Sequence, residues 1–267
     1  MNGPGATQGA GPRITDDAFL DGALQVLQPR SGYRAGLDAV FLAAAVPAGQ
    51  GSDPVRVLDV GAGVGTAGLC LARRVETARI TLLEREPELA RLATENVARN
   101  GLQERVSVVE ADIARSAADL AALGLKPESF DHVIANPPYH QVGAGTPSAV
   151  SLKANAHAMP EADLGHWARF MARMAASGAG ATIVHKAEAL ADLLAVLEGR
   201  FGAIKILPLH PRAGAPAHRV IVQGVKGSRA PVTLLAGVVL HGADNAFTPG
   251  AQAILRSGAP LPLEPAL

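Results

Sequence analysis

The stretch VRVLDVGAGVGTAGLCLARRV, residues 55–75, decides the fold. It begins as a short apolar run, passes through a glycine-rich turn and continues with apolar residues at helical spacing. The same alternation of strand and helix runs along the chain as far as residue 201. Since strands that alternate with helices pair in parallel and carry helices on both faces, the pattern predicts an α/β, doubly wound, Rossmann-like sheet.

The predicted sheet has about seven strands, most of them parallel. These strands are predicted at residues 55–61, 80–84, 106–111, 130–135, 181–186, 204–209 and 219–226. Helices are predicted at residues 66–75, 87–101, 116–125, 162–178 and 187–201. The last two strands are too close in sequence for a parallel crossover, so we expect the final strand to be antiparallel. Residues 232–241 stay open as a further strand.

The segments that flank this domain have patterns of their own. Asp21 and Gly22 stand between apolar residues, as in a hairpin turn. Residues 35–46 are predicted to form a helix that Pro47 stops. The predicted organisation is a disordered tail at 1–13, a short hairpin-helix extension at 14–54, the main domain at 55–245 and a C-terminal tail at 246–267.

The composition limits the class of protein. The chain has 267 residues, 48% of them hydrophobic, and a formal net charge of zero, which argues against a surface that is basic all over. The single Cys70 excludes an intrachain disulfide, and the eight histidines show no metal-ligand spacing. No apolar run approaches the roughly 18 residues of a membrane span, and the N-terminus lacks the apolar segment of a secretory signal. We expect a soluble, cytoplasmic protein without a metal.

The glycine turn after the first strand is a predicted ligand site. Its Gly63, Gly65 and Gly68 fit the G-x-G-x-x-G spacing of dinucleotide-binding proteins, which alone is a weak signal. Asp59, just before the turn, would repel a pyrophosphate but attract an amino-acid ammonium group. Glu84, at the end of the next strand, can bind ribose hydroxyls in either class of protein. A tight turn without a ligand is the third interpretation.

The order of motifs resembles that of class I S-adenosylmethionine (SAM)-dependent methyltransferases. The resembling motifs are LDVGAGVG, LLERE, EAD at 110–112 and NPPY at 136–139. The resemblance implies SAM as the cofactor, with its methionine part near Asp59 and the glycines, its ribose near Glu84 and its adenine near Asp112. The cofactor-binding residues predicted in this way are Asp38, Asp59, Gly61, Ala62, Gly63, Gly65, Glu84, Arg85, Asp112, Ile113 and Asn136.

The NPPY motif is the predicted catalytic element. A nitrogen conjugated with a ring or a carbonyl is a poor nucleophile, and oxygen acceptors on its two N–H bonds favour the geometry that frees the lone pair. The side-chain oxygen of Asn136 and the carbonyl of Pro137 can supply them, and the prolines hold them rigid. Tyr139 offers a ring on which a base can stack beside Pro138. A loop that only closes a strand is the alternative.

The flanking segments resemble the bacterial tRNA adenine-N6-methyltransferases that modify valine tRNA beside the anticodon. The resemblance extends over residues 14–255 and is carried by residues 14–46 and 200–229. It implies that four residues lie beside the methionine end of the cofactor and the target base: Gln28, Tyr33, Arg34 and Asp38. The chain ends in RSGAPLPLEPAL, whereas family members often end in an aromatic-rich segment.

Three alternatives to a tRNA adenine substrate remain. The NPPY motif also occurs in enzymes that methylate protein glutamine or guanine N2 of rRNA, and a non-catalytic RNA-binding module could keep the same fold. Glutamine-specific enzymes usually carry a helical domain ahead of the SAM domain, and only 54 residues precede the first strand here. A module that only binds could lose Asn136 at no cost, so the intact motif argues for catalysis.

A basic segment is the predicted RNA contact. Residues 200–243 contain no Asp or Glu, and their basic residues are Arg200, Lys205, Arg212, Arg219, Lys226 and Arg229. Such a cluster can hold phosphates while a base enters the catalytic pocket. The predicted substrate-binding residues are Pro138, Tyr139, Arg34, Lys153, Arg212 and Arg219. Lys153 belongs to the loop at 140–158, which is either a mobile lid or a plain connector.

Overall fold

The computed structural model describes residues 14–31, 34–49, 54–138, 164–261 and 263, which form a hairpin followed by a large sheet covered by helices. The strands are β1 Ile14–Phe19, β2 Leu24–Pro29, β3 Arg56–Val60, β4 Arg79–Glu84, β5 Val106–Glu110, β6 Phe130–Ala135, β7 Ala175–Lys186, β8 Phe201–Arg212, β9 Arg219–Lys226, β10 Thr233–Leu234 and β11 Val238–His241. The helices are α1 Leu37–Ala44, α2 Thr66–Arg74, α3 Pro87–Arg99, α4 Ala117–Ala122, α5 Leu164–Met174, α6 Leu190–Leu197 and α7 Pro249–Ser257.

The sheet has the predicted α/β architecture. Its strands follow the order β5–β4–β3–β6–β7–β9–β8, and the short β10 and β11 both pair with β8. The strands β3 to β7 are parallel, whereas β9 is antiparallel to β7 and to β8, as the short connection between the last two predicted strands required. Residues 232–241, left open in the sequence, contribute the two short strands that follow.

The strand order reverses beside β3, which pairs with β4 on one side and with β6 on the other. Open α/β sheets bind their ligands outside the carboxyl ends of the strands at such a point. Val60 and Ala135, the last residues of β3 and β6, are paired there. The chain therefore brings the glycine turn and the Asn-Pro-Pro segment to the same edge of the sheet.

The strand β3 faces two separate apolar layers. Val57 packs with side chains of α1, α2 and α3, while Leu58 and Val60 pack on the opposite face with α4, α5 and α6. A strand buried on both faces reads as a continuous apolar run rather than an alternating one, which is why the sequence identifies it so clearly. Asp59 lies between these residues and faces α2.

The helix predicted at residues 162–178 is wrong in its last four residues. The helix α5 ends at Met174, and β7 begins at Ala175, which pairs with Phe130. Gly180 lies so close to the His132 ring that a Cβ would stand 2.3 Å from Nδ1. Gly180 therefore allows this close approach between β6 and β7, which local helix propensity cannot reveal.

The predicted C-terminal tail contains a helix. The side chain of Thr248 accepts a hydrogen bond from the Ala251 N–H, and Pro249 occupies the first turn of α7. Ala251 and Ile254 are buried where α7 packs against α1 and β11. The Thr248 cap and Pro249 are helix-start signals that the sequence contains, although no helix was predicted from them. The other domain limits stay predictions.

The hairpin predicted around Asp21 and Gly22 is present and packs on α3. Strands β1 and β2 are antiparallel, and Asp16 of β1 accepts a hydrogen bond from the Arg99 guanidinium at 2.7 Å.

Among the helices of the described ranges, none combines the length and the apolar character that crossing a membrane requires.

Candidate active site

A cavity of about 220 Å³ opens at the carboxyl edge of the sheet, beside the ends of β3 and β6. The predicted site residues that line it are Gly61, Glu84, Arg85, Asp112, Ile113, Asn136 and Pro138. Leu83, Leu89 and Ala111 add apolar walls. The cavity thus combines an apolar interior with a few polar groups, which is the usual composition of a small-molecule site.

Glu84 anchors the glycine turn as well as facing the cavity. Its Oε2 accepts a hydrogen bond from the Gly63 N–H at 2.7 Å, and its Oε1 accepts one from the N–H of Arg85 and one from that of Glu86, both at 2.9 Å. A carboxylate has about four lone-pair sites. Glu84 was predicted to bind ribose hydroxyls, and this arrangement leaves room for one further hydrogen bond, on Oε2.

Asp59 lies beneath the turn, and its Oδ2 accepts a hydrogen bond from the Gly68 N–H at 3.0 Å. Burial raises the pKa of Asp59 to about 7, the Gly68 N–H opposes this shift, and the nearby negative charge of Glu84 adds to it. Asp59 is not one of the described residues that line the cavity. In this conformation its carboxylate braces the start of α2, and its predicted contact with the methionine part stays a prediction.

Trp167 of α5 forms a wall of the cavity that the sequence analysis did not foresee. Its helical spacing in the sequence is typical of a core residue, and it is indeed buried, yet it also lies over the glycine turn. A Cβ on Gly61 would stand 2.5 Å from Trp167 Cη2. The first glycine of the turn therefore makes room for an indole ring. No local signal marks this contact, because the two residues lie in distant parts of the chain.

The opposite rim of the cavity is charged. Asp112 follows β5, and its Oδ1 accepts a hydrogen bond from the Ala114 N–H at 2.7 Å. Arg85 stands with Nη1 3.9 Å from Asp112 Oδ2 and Nε 3.1 Å from Glu86 Oε1. Within the part of the chain that the structure describes, no three His, Cys, Asp or Glu side chains are grouped so that they could hold a metal ion.

The Asn-Pro-Pro segment leaves the sheet directly after Ala135. Asn136 is half-buried, Pro137 is buried and Pro138 is exposed, and both Asn136 and Pro138 line the cavity. The predicted Tyr139 and Lys153 lie outside the described residues, as does Tyr33. The structure therefore brings Asn136, one of the two predicted acceptor residues, to the wall of the cavity.

A second group of predicted residues lies around the start of α1. The Nε of Arg219 donates a 2.9 Å hydrogen bond to Asp38 Oδ2, which joins the start of β9 to α1. Arg34 contacts Asp17 at 3.0 Å, and the buried Gln28 donates to the same carboxylate at 2.7 Å. Arg219 was predicted to hold RNA phosphates, but its guanidinium is already paired with a carboxylate.

The predicted basic segment is divided between the two edges of the sheet. Arg212 ends β8 and Arg219 begins β9, so both lie at the carboxyl edge with the cavity. Lys226 ends β9 at the opposite edge, where it contacts Glu128, and Arg200 and Arg229 lie near it. The prediction that all six basic residues form one surface is therefore wrong, because each strand has its two ends at opposite edges of the sheet. Arg212, which is exposed and donates to Asn245, remains at the predicted RNA face.

Comparisons with known proteins identify the class of protein. The family described as "Methyltransferase small domain" matches residues 38–159. A tRNA1(Val) (adenine(37)-N6)-methyltransferase of Escherichia coli O157:H7 (strain EC4115 / EHEC) is 37% identical over 119 residues, which cover 44% of this chain and 45% of that protein. The match to such curated relatives thus spans about half of their length.

Solved structures extend the likeness over most of the chain. A predicted O-methyltransferase, protein Atu636 from Agrobacterium tumefaciens, is 32% identical with a TM-score of 0.69, and the match covers 84% of this chain and 98% of that one. TYW2 of Pyrococcus horikoshii, solved in complex with MeSAdo, has a TM-score of 0.52 at 13% identity over 82% of this chain and 73% of that one, which shows a shared fold alone. The chain belongs to the family of SAM-dependent methyltransferases that carry the methyltransferase small domain.

Proposed function

We propose that the protein transfers a methyl group from SAM to the exocyclic N6 of an adenine in tRNA. The observation that carries this proposal is the position of Asn136 and Pro138 on the wall of the same cavity as Glu84 and Asp112. A motif suited to a conjugated amino nitrogen thus opens onto the residues suited to a nucleoside cofactor. The curated relatives named as tRNA adenine methyltransferases support the choice of substrate.

The cavity residues fit a SAM molecule. The remaining acceptor site on Glu84 can take a ribose hydroxyl, and the apolar side chains of Leu89 and Ile113 suit the faces of an adenine ring. Asp112 stands at the rim, where it can accept a hydrogen bond from an exocyclic amino group. When bound, SAM supplies an electrophilic methyl group on a positively charged sulfur.

The protein's own contribution to the reaction is positioning. The Asn136 side-chain oxygen and the Pro137 carbonyl accept hydrogen bonds from the two N–H groups of the target amino group. These bonds turn the nitrogen lone pair out of the ring plane. The adjoining Ala135 is held between β3 and β7, so the acceptors start from a rigid strand end. No base has to remove a proton first, because the nitrogen becomes acidic only after it has accepted the methyl group.

The carboxyl edge also offers features that suit RNA. The strand β11 ends at His241, whose ring stacks on that of Phe247 with centroids 4.5 Å apart and an interplanar angle of 26°. Phe247 is 36% exposed, and His241 is paired with Arg212 across β11 and β8. Four strand spacings separate β6 from β11, which is about 19 Å. An aromatic stack beside a cation at this distance could hold nucleotides that neighbour the target adenine, and a tRNA substrate would place the protein in the cytoplasm.

The test is methyl transfer to tRNA that lacks N6-methyladenosine, followed by mass spectrometry of the nucleosides. Wild type should produce N6-methyladenosine, and Asn136→Ala should lower turnover about 100-fold or more because it loses a transition-state acceptor. Asn136→Asp is the matched control, since it keeps an oxygen in place and should retain more activity than Asn136→Ala. SAM binding measured by calorimetry should stay nearly unchanged in Asn136→Ala. Near-wild-type turnover in Asn136→Ala contradicts the acceptor role.

The same assay separates the alternative substrates. Detection of N2-methylguanosine in rRNA would show that the target is guanine rather than adenine. Unmodified RNA together with methylated glutamine in a protein such as a release factor would move the proposal to the glutamine class. Binding of SAM without transfer to any of these substrates would favour the non-catalytic module.

A further inference from the structure

Asn96 is a fully buried polar side chain on α3 that contacts two different segments. Its Oδ1 accepts a hydrogen bond from the Leu27 N–H at 2.7 Å, and its Nδ2 donates to the Leu27 carbonyl at 2.9 Å. The same Nδ2 donates a second hydrogen bond, at 3.0 Å, to the carbonyl of Val64. Leu27 belongs to the hairpin strand β2, and Val64 belongs to the glycine turn.

Asn100, one helical turn later, makes the same pair of contacts to the hairpin. Its Oδ1 accepts from the Gln25 N–H at 3.0 Å and its Nδ2 donates to the Gln25 carbonyl at 2.8 Å. Four residues of a helix rise about 6 Å and two residues of a strand rise about 6.8 Å, so two amides at this spacing can act as a strand partner for β2. The second donor bond of Asn100 goes to the Asn96 carbonyl within α3, at 2.8 Å.

The two asparagines therefore share their contacts to the hairpin, and of the two only Asn96 also donates to the glycine turn. That turn is held at Gly63 by Glu84, whose carboxylate faces the cavity. On the hairpin side, Gln28 follows Leu27 directly, and its Oε1 accepts a hydrogen bond from the Ala35 N–H at 2.9 Å just before α1. Hydrogen bonds and two backbone links, Gly63 to Val64 and Leu27 to Gln28, thus join the cavity to the entrance of α1.

We propose that Asn96 is a positioning residue that couples the cofactor turn to the N-terminal hairpin, so that a filled cavity and a docked hairpin stabilise each other. The coupling follows from the amide itself, because a planar group with three bonds cannot follow a displaced hairpin without releasing Val64. Coupling between two sites is reciprocal, so the ligand must tighten the hairpin to the same degree as the hairpin tightens the ligand. This inference rests on the proposed function only in taking SAM or its demethylated product as the ligand.

The experiment compares Asn96→Asp with Asn100→Asp in the full chain. Both changes replace an amide donor by an oxygen that repels two backbone carbonyls, but only the first affects the glycine turn. Calorimetry with S-adenosylhomocysteine should show roughly tenfold weaker binding for Asn96→Asp, as expected for one lost buried hydrogen bond of about 1.4 kcal/mol. Asn100→Asp should bind within about threefold of wild type. Equal losses in the two variants would overturn the role assigned to the bond between Asn96 and Val64, because Asn100→Asp disturbs the hairpin and leaves that bond intact.

Hydrogen exchange of wild type gives a readout that does not depend on whether either variant folds. Addition of S-adenosylhomocysteine should slow exchange of the Leu27 amide, which lies in the hairpin and outside the residues that line the cavity. Unchanged Leu27 exchange in a ligand-saturated protein overturns the coupling and leaves the proposed function standing. A wild type that binds neither SAM nor S-adenosylhomocysteine overturns both.

Discussion

Replacement of Gly61 by alanine tests the contact between the glycine turn and α5. Gly61 has a φ of +64°, and a Cβ there would lie 2.5 Å from Trp167 Cη2 and 3.1 Å from Trp167 Cζ3. The left-handed conformation costs an alanine about 1–2 kcal/mol. Displacement of a packed side chain costs about 1–3 kcal/mol more. We therefore expect Gly61→Ala to lower the free energy of unfolding by about 2–5 kcal/mol.

Gly101 provides a matched control for the backbone part of this cost. Its φ is +66°, and a Cβ there would meet no heavy atom within 4 Å. Gly101→Ala should therefore cost only the conformational part, about 1–2 kcal/mol. The difference between the two variants isolates the collision with Trp167, for which we expect about 1–3 kcal/mol.

Urea unfolding followed by circular dichroism measures both free energies. Trp167 is the single tryptophan of the chain, so its fluorescence reports directly on the cavity wall. Its emission should change in folded Gly61→Ala and stay constant in Gly101→Ala. In a Trp167→Leu background the extra cost of Gly61→Ala should largely disappear, as non-additivity between contacting residues predicts. Equal destabilisation by the two glycine variants, with unchanged emission, would refute the reasoning.

Three further changes test the charges of the site. Glu84→Gln should weaken SAM binding by about 1–3 kcal/mol, because one carboxylate acceptor is replaced by a donor; an unchanged dissociation constant in calorimetry contradicts its role. Burial raises the pKa of Asp59 from 3.8 to about 7, so the native state binds this proton more tightly, and the stabilisation is lost as the pH rises through that range. In urea unfolding, the free energy of unfolding of Asp59→Asn should therefore rise relative to that of wild type by roughly 2–3 kcal/mol between about pH 5 and pH 8. A difference between the two proteins that does not change with pH argues against the pKa shift. Arg212→Ala should flatten the salt dependence of RNA binding by about 0.7–0.9 in log–log slope, while Arg229→Ala, at the opposite edge, should not; equal effects would place the RNA elsewhere.

Local patterns allowed the fold and the cavity to be predicted. Alternating strands and helices specify a parallel sheet, and residues that follow β3, β4, β5 and β6 must then meet at one edge. Glu84, Asp112 and Asn136 were predicted from these positions together with the family resemblance, and all three line one cavity. The hairpin at Asp21 and Gly22 was equally local, since the turn residues themselves specify it.

Other features depended on which elements pack together. The basic segment looked continuous in sequence, but the antiparallel pairing of β8 and β9 separates Arg212 from Lys226. The pairing of Asp38 with Arg219 joins residues 181 positions apart, so the predicted RNA contact of Arg219 has a carboxylate beside it. Periodicity marks the buried face of a helix but not the neighbour that covers it, so it could not foresee these contacts.

The sequence by itself determined the class of fold and the edge of the sheet that carries the cavity, because turns, caps and strand ends are set by neighbouring residues. Only the tertiary structure decided that Trp167 covers Gly61 and that Asn96 joins Leu27 to Val64. Both contacts unite segments far apart in the chain. Their energy comes from close packing and satisfied buried amides, which exist only once the hairpin, α3 and α5 have met.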